Sequence, residues 1–362
     1  MAHQFNGAQP VGHVRLHFRE EGASKIPSSL SAVEQVDGSL WLGADEAASV
    51  ERLSTVDDVN FDSHESFRLA EYFELPGGPD QEVDLEGLAW DDEAGRLWLT
   101  GSHSLPRKQP KDGESGKDAL KTLGVVDRQA NRYLLGFLKL DHVHGDDGKR
   151  APRPVAHAAA AMPFIADASE LVDLLADNSL ISPFLAIPSK DNGFDIEGLA
   201  VRGDSVFLGL RGPVLRGWAT VLQLRLEQDG RLLKPGPIAG NGQKYLHHLL
   251  DLGGLGIRDL CVIDDDLLVL AGPTMELDGP IRLFRWRNAL GNNEERRVDN
   301  SVLDLLFDIP WGERVDHAEG ISLFRSGEGD PRLLVVYDSP AKKRLHEGKY
   351  FEADLFQIRS RA

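Results

Sequence analysis

An internal repeat constrains this chain more than any other feature of its sequence. In each of five segments a short polar turn is followed by an apolar strand, a turn with glycine or aspartate, and a second apolar strand. Such self-similarity predicts a repeat architecture and not a set of unrelated domains. The five segments are SLSAVEQVDGSLWLGADE from Ser29, DLEGLAWDDEAGRLWLTGSHS from Asp84, DIEGLAVRGDSVFLGLRGP from Asp195, IRDLCVIDDDLLVLAGPT from Ile257 and HAEGISLFRSGEGDPRLLVVYDSP from His317.

Each repeat extends to four strands. Third strands fit at 48–53, 133–140, 220–226, 281–286 and 353–358. Fourth strands fit before each following repeat, in segments that end at Pro76, Pro188, Gly253 and Pro310. The last repeat has no fourth strand of its own, and residues 14–18 supply a spare one. We therefore predict an all-β fold, a five-bladed β-propeller closed by N- and C-terminal strands, as one domain over residues 1–362.

The spacing of the repeats is uneven. Aligning Ser31, Glu86, Glu197, Asp259 and Glu319 gives intervals of 55, 111, 62 and 60 residues. Within the long interval, apolar residues at helical spacing predict helical insertions at about 116–130 and 164–180, assigned to the second blade and packed on a blade edge or over the channel mouth. The polar, proline-rich segment 141–154 between them is predicted to be a loop.

Composition excludes several classes of function. The chain has 362 residues, 41% of them apolar, and a formal charge of −18, which argues against general binding to nucleic acid or anionic membranes. Its lone Cys261 excludes a disulfide framework and fits a reducing compartment. No segment reads as a signal peptide or a membrane span. We expect a soluble cytoplasmic protein.

Carboxylates recur at the start of the first strands, where a propeller opens its central channel. Four of the five aligned positions are acidic, and such a group of charges calls for neutralisation. Oxygen donors in a wide site favour a divalent metal, calcium above all. Two alternatives stay open: the acids cap strand ends by accepting amide hydrogen bonds, or they act directly as acids and bases. The predicted ligands are Glu86, Glu197, Asp259 and Glu319.

Basic residues predict an anionic ligand on the same face. Arg211 follows an apolar strand, where its guanidinium could hold phosphate or carboxylate, or instead form a salt bridge to one of the acids. His103 is a candidate general base or metal ligand, with a hydrogen-bonded structural role as the alternative. The predicted substrate-binding residues are Arg107, Lys108, Arg216 and Arg258.

At DLEGLAWD, DIEGLAVRGDSVFLGLRGP and IRDLCV the chain resembles an uncharacterised bacterial propeller family known only as a domain of unknown function. Through its EGLA segments, at 86–89 and 197–200, it is more remotely similar to phytase-like esterase and calcium-dependent lactonase propellers. In the lactonases a glutamate at such a position helps to bind the metal. This resemblance implies Glu86 or Glu197 as a ligand, supported by Asp259 and Glu319.

These features lead to two hypotheses. In the first, the protein is a metal-dependent hydrolase of esterase or phosphoesterase type acting on a small phosphorylated or carboxylated molecule. The cation polarises the substrate and activates water, Arg211 orients the anion and His103 moves the proton. In the alternative, it is a non-catalytic propeller that binds a ligand or a protein partner on this face.

Overall fold

The computed structural model describes residues 7–19, 26–144, 150–238, 240, 242–327, 329–346 and 350–358. Within these residues the fold is all-β, as predicted, with two short α-helices, α1 (Gly116–Leu123) and α2 (Glu170–Leu175). No helix in the described part is long and apolar enough to cross a membrane. The strands are β1 (Gly12–Leu16), β2 (Leu30–Val36), β3 (Ser39–Ala44), β4 (Ser49–Thr55), β5 (Asn60–Arg68), β6 (Leu85–Asp91), β7 (Arg96–Gly101), β8 (Leu135–His144), β9 (Arg150–Ala161), β10 (Asp195–Arg202), β11 (Ser205–Leu215), β12 (Trp218–Asp229), β13 (Leu232–Pro235), β14 (Tyr245–Leu250), β15 (Gly256–Ile263), β16 (Asp266–Gly272), β17 (Ile281–Trp286), β18 (Arg297–Val298), β19 (Leu303–Ile309), β20 (His317–Phe324), β21 (Arg332–Asp338), β22 (Leu345–His346) and β23 (Tyr350–Gln357).

The described strands pair into sheets of nine, ten and four strands. Antiparallel runs of four can be traced in them: run 1 is β2–β3–β4–β5, run 2 is β6–β7–β8–β9, run 3 is β10–β11–β12–β14, run 4 is β15–β16–β17–β19 and run 5 is β20–β21–β23–β1. Parallel contacts of β5 with β1 and of β13 with β9 join runs into the larger sheets. The first strands β2, β6, β10, β15 and β20 contact one another in that order, and β20 contacts β2. They therefore surround a common centre.

The two ends of the described chain pair with each other, which confirms the predicted closure. Strand β1 runs antiparallel to β23, with Gly12 opposite Leu355 and Leu16 opposite Phe351. The strand begins two residues earlier than the predicted segment 14–18. Run 5 thus takes its fourth strand from the N-terminal part of the chain.

Two of the predicted fourth strands are wrong. In run 1 the fourth strand is β5, and the segment ending at Pro76 follows a 3₁₀ turn at Leu69–Glu71. In run 2 the fourth strand is β9, which pairs with β8 across the segment 141–154 that was predicted to be a loop. Prolines are tolerated in β9 because it lies at the edge of run 2, where few of its backbone amides are needed for pairing.

The two helices fall inside the predicted insertions but are shorter. Helix α1 lies between β7 and β8, whereas α2 follows β9 and so lies outside the second unit to which it was assigned. Leu171 and Leu175 of α2 are fully buried, as the predicted packing requires. The same prediction is wrong for α1, which buries none of its residues and leaves Leu120 73% exposed.

Glycines let the first strands approach one another closely. A Cβ atom on Gly87 would lie 2.5 Å from Leu199 Cβ, and one on Gly320 would lie 2.9 Å from Ala32 Cα. Both distances are too short for carbon atoms, so glycine is required where these neighbouring strands meet. Gly87 and Gly320 each directly follow a glutamate at the start of a first strand.

Candidate functional site

Every first strand carries a β-bulge at the same point near its start. In β6, for example, Leu85 and Gly87 pair with the adjacent residues Gly101 and Thr100, so that Glu86 is the extra residue. A bulge turns its extra side chain away from the regular alternation and often re-aims it into a site. We call the five extra residues the bulge set; they are Ser31, Glu86, Glu197, Arg258 and Glu319.

The bulge set corrects the sequence alignment in run 4. Ile257 and Asp259 pair with the adjacent residues Ala271 and Leu270, so Arg258 is the extra residue and Asp259 is not. The set therefore contains a cation where the sequence predicted a fourth acid. An alignment of the repeats on the aliphatic residue before each bulge gives the correct register, because Leu85 and Ile196 then correspond to Ile257.

Asp259 takes the place that glycine has in the EGLA segments. Its Oδ2 accepts a hydrogen bond of 2.8 Å from the backbone amide of Ile321 in run 5, and its Oδ1 accepts one of 2.7 Å from Leu260. Burial raises the pKa of Asp259 well above its usual value, and these amide bonds oppose the rise. Its contacts match the capping alternative, in which an acid binds the backbone of a neighbouring unit.

Arg258 links two glutamates of the bulge set. Its Nε lies 3.0 Å from Glu197 Oε2, and its Nη2 is paired with Glu319 Oε1. Glu197 also lies 2.7 Å from Arg211 Nη1. Only 3% of the Glu197 side chain and 9% of the Arg258 side chain are exposed, so solvent screens these pairs weakly.

Arginines also neutralise the aspartates that precede the bulges. Arg211 pairs with Asp195, and Arg132 Nη1 lies 2.6 Å from Asp84 Oδ2. Asp195 Oδ2 lies at ion-pair distance from Arg211, and Glu197 Oε2 lies at ion-pair distance from Arg258. Neither contact has the geometry of a hydrogen bond. Burial raises the pKa of Asp195 to about 7 although Arg211 opposes the rise. Arg132 was not singled out in the sequence, because it lies outside the repeated pattern.

Two carboxyl groups of the cluster form no ion pair with any residue that the structure describes. Among the described residues Glu86 makes no hydrogen bond or ion pair, and burial, followed by the charges of Asp84 and Glu197, raises its pKa well above the usual value. Oδ1 of Asp45 is buried without a hydrogen-bond partner. Burial and the charge of Asp84 raise the pKa of Asp45 to about 7. Asp45 is therefore suited to exchange protons near neutral pH, and Glu86 holds its proton to a higher pH than an ordinary glutamate does.

A cavity of about 640 Å³ opens beside this cluster, and we call it the channel-mouth pocket. Arg211, Arg258 and Glu319 of the cluster line it, and so do Lys190 and His317. Its volume lies in the range of small-molecule sites. Three large apolar residues of its wall are exposed to solvent: Met275, Leu277 and Trp311.

The cluster does not fit the predicted calcium ion. A calcium ligand must present free carboxylate oxygens, whereas Glu197 and Glu319 are paired with Arg258. Within the described residues, no three histidine, cysteine or acidic side chains are grouped so as to hold a metal ion. The repulsion that was assigned to a metal is relieved by the arginines instead.

The remaining predicted residues lie apart from this cluster. His103 is buried, with Nδ1 3.1 Å from the Gly101 carbonyl oxygen, and burial lowers its pKa to about 4, which fits the structural alternative. Arg107 binds Asp191 at 2.8 Å, and Lys108 lies 3.2 Å from Asp127. Arg216 is exposed in the turn between β11 and β12. The structure therefore joins Glu86, Glu197, Glu319, Arg211 and Arg258, and leaves these four residues and Asp259 outside.

Comparison with known proteins gives a family but no activity. The profile described as "Protein of unknown function (DUF3616)" matches residues 29–354. No curated protein matches the chain.

Solved structures that superpose in part on this protein share little sequence with it. Glutaminyl cyclase from Myxococcus xanthus is 11% identical, with a TM-score of 0.40 over 97% of this chain and 100% of that one. The exo-β-1,3-galactanase 1,3Gal43A from Clostridium thermocellum is 10% identical, with a TM-score of 0.44 over 95% and 62%. The PQQ-bound aldose sugar dehydrogenase from Streptomyces coelicolor is 10% identical, with a TM-score of 0.38 over 97% and 98%. These scores are too low to support an argument about function.

Proposed function

Because the chain belongs to the DUF3616 family, whose function is unknown, we propose its function from the site itself. The protein is a hydrolase that binds a small phosphorylated or carboxylated molecule in the channel-mouth pocket. Carboxyl groups of the cluster carry the proton transfers.

We also propose that the fold is a five-bladed β-propeller. Two observations support this proposal. Five antiparallel runs of four strands can serve as its blades, and the first strands β2, β6, β10, β15 and β20 contact one another in a cycle, as strands around a central channel would. Pairing of β1 with β23 closes the ring, as propellers commonly do with their chain ends.

The observation that carries the proposed activity is the unequal state of neighbouring carboxyl groups. Glu197 has its charge balanced by Arg211 and Arg258, whereas Glu86 has no partner among the described residues and a raised pKa. Carboxyl groups whose surroundings push them to different protonation states can divide the roles of acid and base.

The roles follow from these differences. Arg258 and Arg211 contact the anionic group of the substrate in the pocket. Glu86, whose pKa burial and neighbouring carboxylates raise well above its usual value, donates its proton to the oxygen of the leaving group. Asp45, with a pKa of about 7, accepts a proton from the attacking water, whose oxygen forms the new bond as the bond to the leaving group breaks.

The test is a hydrolysis assay with small phosphomonoesters and carboxylic esters that release a chromogenic alcohol. We expect turnover of at least one class, and a fall of about 10²–10⁴-fold in kcat for Glu86→Gln. Substrate binding, measured by calorimetry, should persist in that variant. Glu74→Gln, which neutralises an exposed glutamate, is the matched control and should keep full activity.

The alternative is a non-catalytic binding protein, favoured by the close pairing of Arg211 and Arg258 with carboxylates. It predicts that ligands bind to the wild-type pocket and not to Arg258→Gln, with no turnover by either. Turnover that Glu86→Gln does not reduce contradicts the proposed acid role. A wild-type protein that neither binds nor hydrolyses any compound of the panel contradicts the proposed substrate class.

A further inference from the structure

A second pocket lies on the opposite face of the molecule, between runs 1 and 2. Ser39, which begins β3, and Thr55, which ends β4, both line it. First strands start at the channel-mouth face, so the starts of second strands and the ends of third strands lie on the other face. We call this cavity, of about 280 Å³, the inter-run pocket.

The inter-run pocket is basic although the protein is acidic. Four arginines, Arg19, Arg52, Arg150 and Arg153, and also His142 line it, against the two carboxylates Asp37 and Glu65. The whole chain has 40 basic side chains against 58 acidic ones. Such a local reversal of charge in a cavity attracts anions.

Part of this charge serves to join the two runs. Arg52, with only 4% of its side chain exposed, binds Glu65 Oε2 at 2.5 Å and donates a hydrogen bond of 2.6 Å to the Pro152 carbonyl oxygen of run 2. Arg153 pairs with the other oxygen of Glu65. One carboxylate is thus shared by two guanidinium groups, which leaves a net positive charge at the wall.

The rest of the charge has no such structural role. Arg19 and Arg150 line the pocket and make no ion pair with any described residue. Nε of Arg153 is buried without a hydrogen-bond partner. Asp37 lies 2.8 Å from His142 and forms no ion pair with a described arginine, so four arginines face two carboxylates in the pocket. Guanidinium groups without an ion-pair partner among the described residues therefore line a cavity whose volume suits a small molecule.

We propose that the inter-run pocket binds the phosphate group of a small molecule. A phosphate offers several oxygens and up to two negative charges, which matches planar guanidinium donors that converge from several sides. The buried Arg52–Glu65 pair fixes the wall of the pocket, while Arg19 and Arg150 supply the unpaired charge. This site is separate from the channel-mouth pocket, and the proposal does not depend on hydrolysis there.

The experiment is a calorimetric titration of the full chain with inorganic phosphate at pH 7.5 and low salt. We expect saturable binding that weakens as sodium chloride is added. The variants Arg19→Gln and Arg150→Gln change side chains without ion pairs, so folding should not suffer, and each should weaken binding about tenfold. Arg68→Gln is the matched control, because it removes an equal charge at an exposed pair with Asp80 and should leave the affinity unchanged.

Two further titrations locate the site and its ligand. The variant Arg258→Gln alters the channel-mouth pocket, and the phosphate binding that it retains belongs to the inter-run pocket. Glycerol phosphate that binds more tightly than inorganic phosphate identifies a phosphomonoester as the ligand, and the reverse order identifies free phosphate. The proposal is overturned if the wild-type protein shows no saturable binding, if Arg68→Gln loses as much affinity as Arg150→Gln, or if the double variant R19Q/R150Q binds like the wild type.

Discussion

Neutralising Asp45 should stabilise the protein, because the folded state holds this carboxyl group in an unfavourable place. Its Oδ1 is buried without a hydrogen-bond partner, and burial with the charges of Asp84 and Asp338 raises its pKa from 3.8 to about 7. Asn has nearly the same shape and cannot ionise. The variant Asp45→Asn therefore removes the cost of the charge and little else.

The magnitude follows from the pKa shift. A rise of about three units, at about 1.4 kcal/mol per unit, sets an upper limit of about 4 kcal/mol, and partial contact with solvent lowers this to about 2–4 kcal/mol. With an unfolding entropy of about 2.1 cal/mol/K per residue, a chain of 362 residues changes its melting temperature by about 1.3 °C per kcal/mol. We expect a rise of about 3–5 °C at pH 8.

The size of this stabilisation depends on pH. Below pH 3.8 the carboxyl group is protonated in both the folded and the unfolded state, so the charge costs nothing. Between 3.8 and about 7 the unfolded state ionises first, and the stability of the wild type falls as the pH rises. Above about 7 the whole cost is present. The advantage of Asp45→Asn should shrink to about 1–2 °C at pH 5.

Thermal unfolding followed by circular dichroism at pH 5, 6, 7 and 8 and constant ionic strength measures this difference. Asp80→Asn is the matched control, since that side chain is 89% exposed and its loss changes the net charge equally. It should melt within about 1 °C of the wild type at every pH. The reasoning is refuted if Asp45→Asn melts at or below the wild-type temperature at pH 8, or if its advantage does not change with pH.

Three further predictions concern the same region. Arg258→Gln leaves Glu197 and Glu319 without their shared cation and should lower stability by about 3–5 kcal/mol, or about 4–7 °C in the melting temperature. An unchanged melting temperature at pH 8 would contradict the pairing. Asp259→Ala removes the acceptor of two backbone amide hydrogen bonds and should lower the free energy of unfolding, measured by chemical denaturation, by about 2–4 kcal/mol. Ligand affinity at the channel-mouth pocket should not change. A loss of affinity would place Asp259 in the binding site. Gly87→Ala should destabilise the folded protein by about 1–3 kcal/mol, because the added Cβ would meet Leu199. Gly116→Ala, which has open space around the added atom, should be neutral or slightly stabilising. Equal effects of the two variants would argue against the close approach of β6 and β10.

The local sequence pattern was sufficient to predict much of the fold. Alternating apolar strands and glycine turns define the first three strands of each run, and the spare strand near the N-terminus predicted the pairing of β1 with β23. Acidic residues followed by glycine marked the points where strands meet at the centre. These features depend on residues that are neighbours in sequence, so a single sequence reveals them.

Partners across the ring were decided only by the tertiary structure. Arg258 finds Glu197 and Glu319 because the first strands of three runs come together there, and each partner lies 61 residues away in the chain. The sequence predicted a group of acids and inferred a metal ion to balance them. Which charges balance which depends on the direction in which each bulge aims its side chain, and a residue count that is wrong by one position changes that direction.

The fourth strands and the two pockets depend on the same long-range packing. Strand β9 contains Pro152 and Pro154 and has no clear strand pattern, yet it pairs with β8 because an edge position tolerates missing amides. Its placement brings Arg150 and Arg153 against run 1, which no local pattern indicates. The sequence thus determined the repeat, its strands and the acidic strand starts. Folding of distant segments onto one another decided which carboxyl groups are paired with arginine, which have a raised pKa, and where cavities open beside them, because burial and charge are set by neighbours in space.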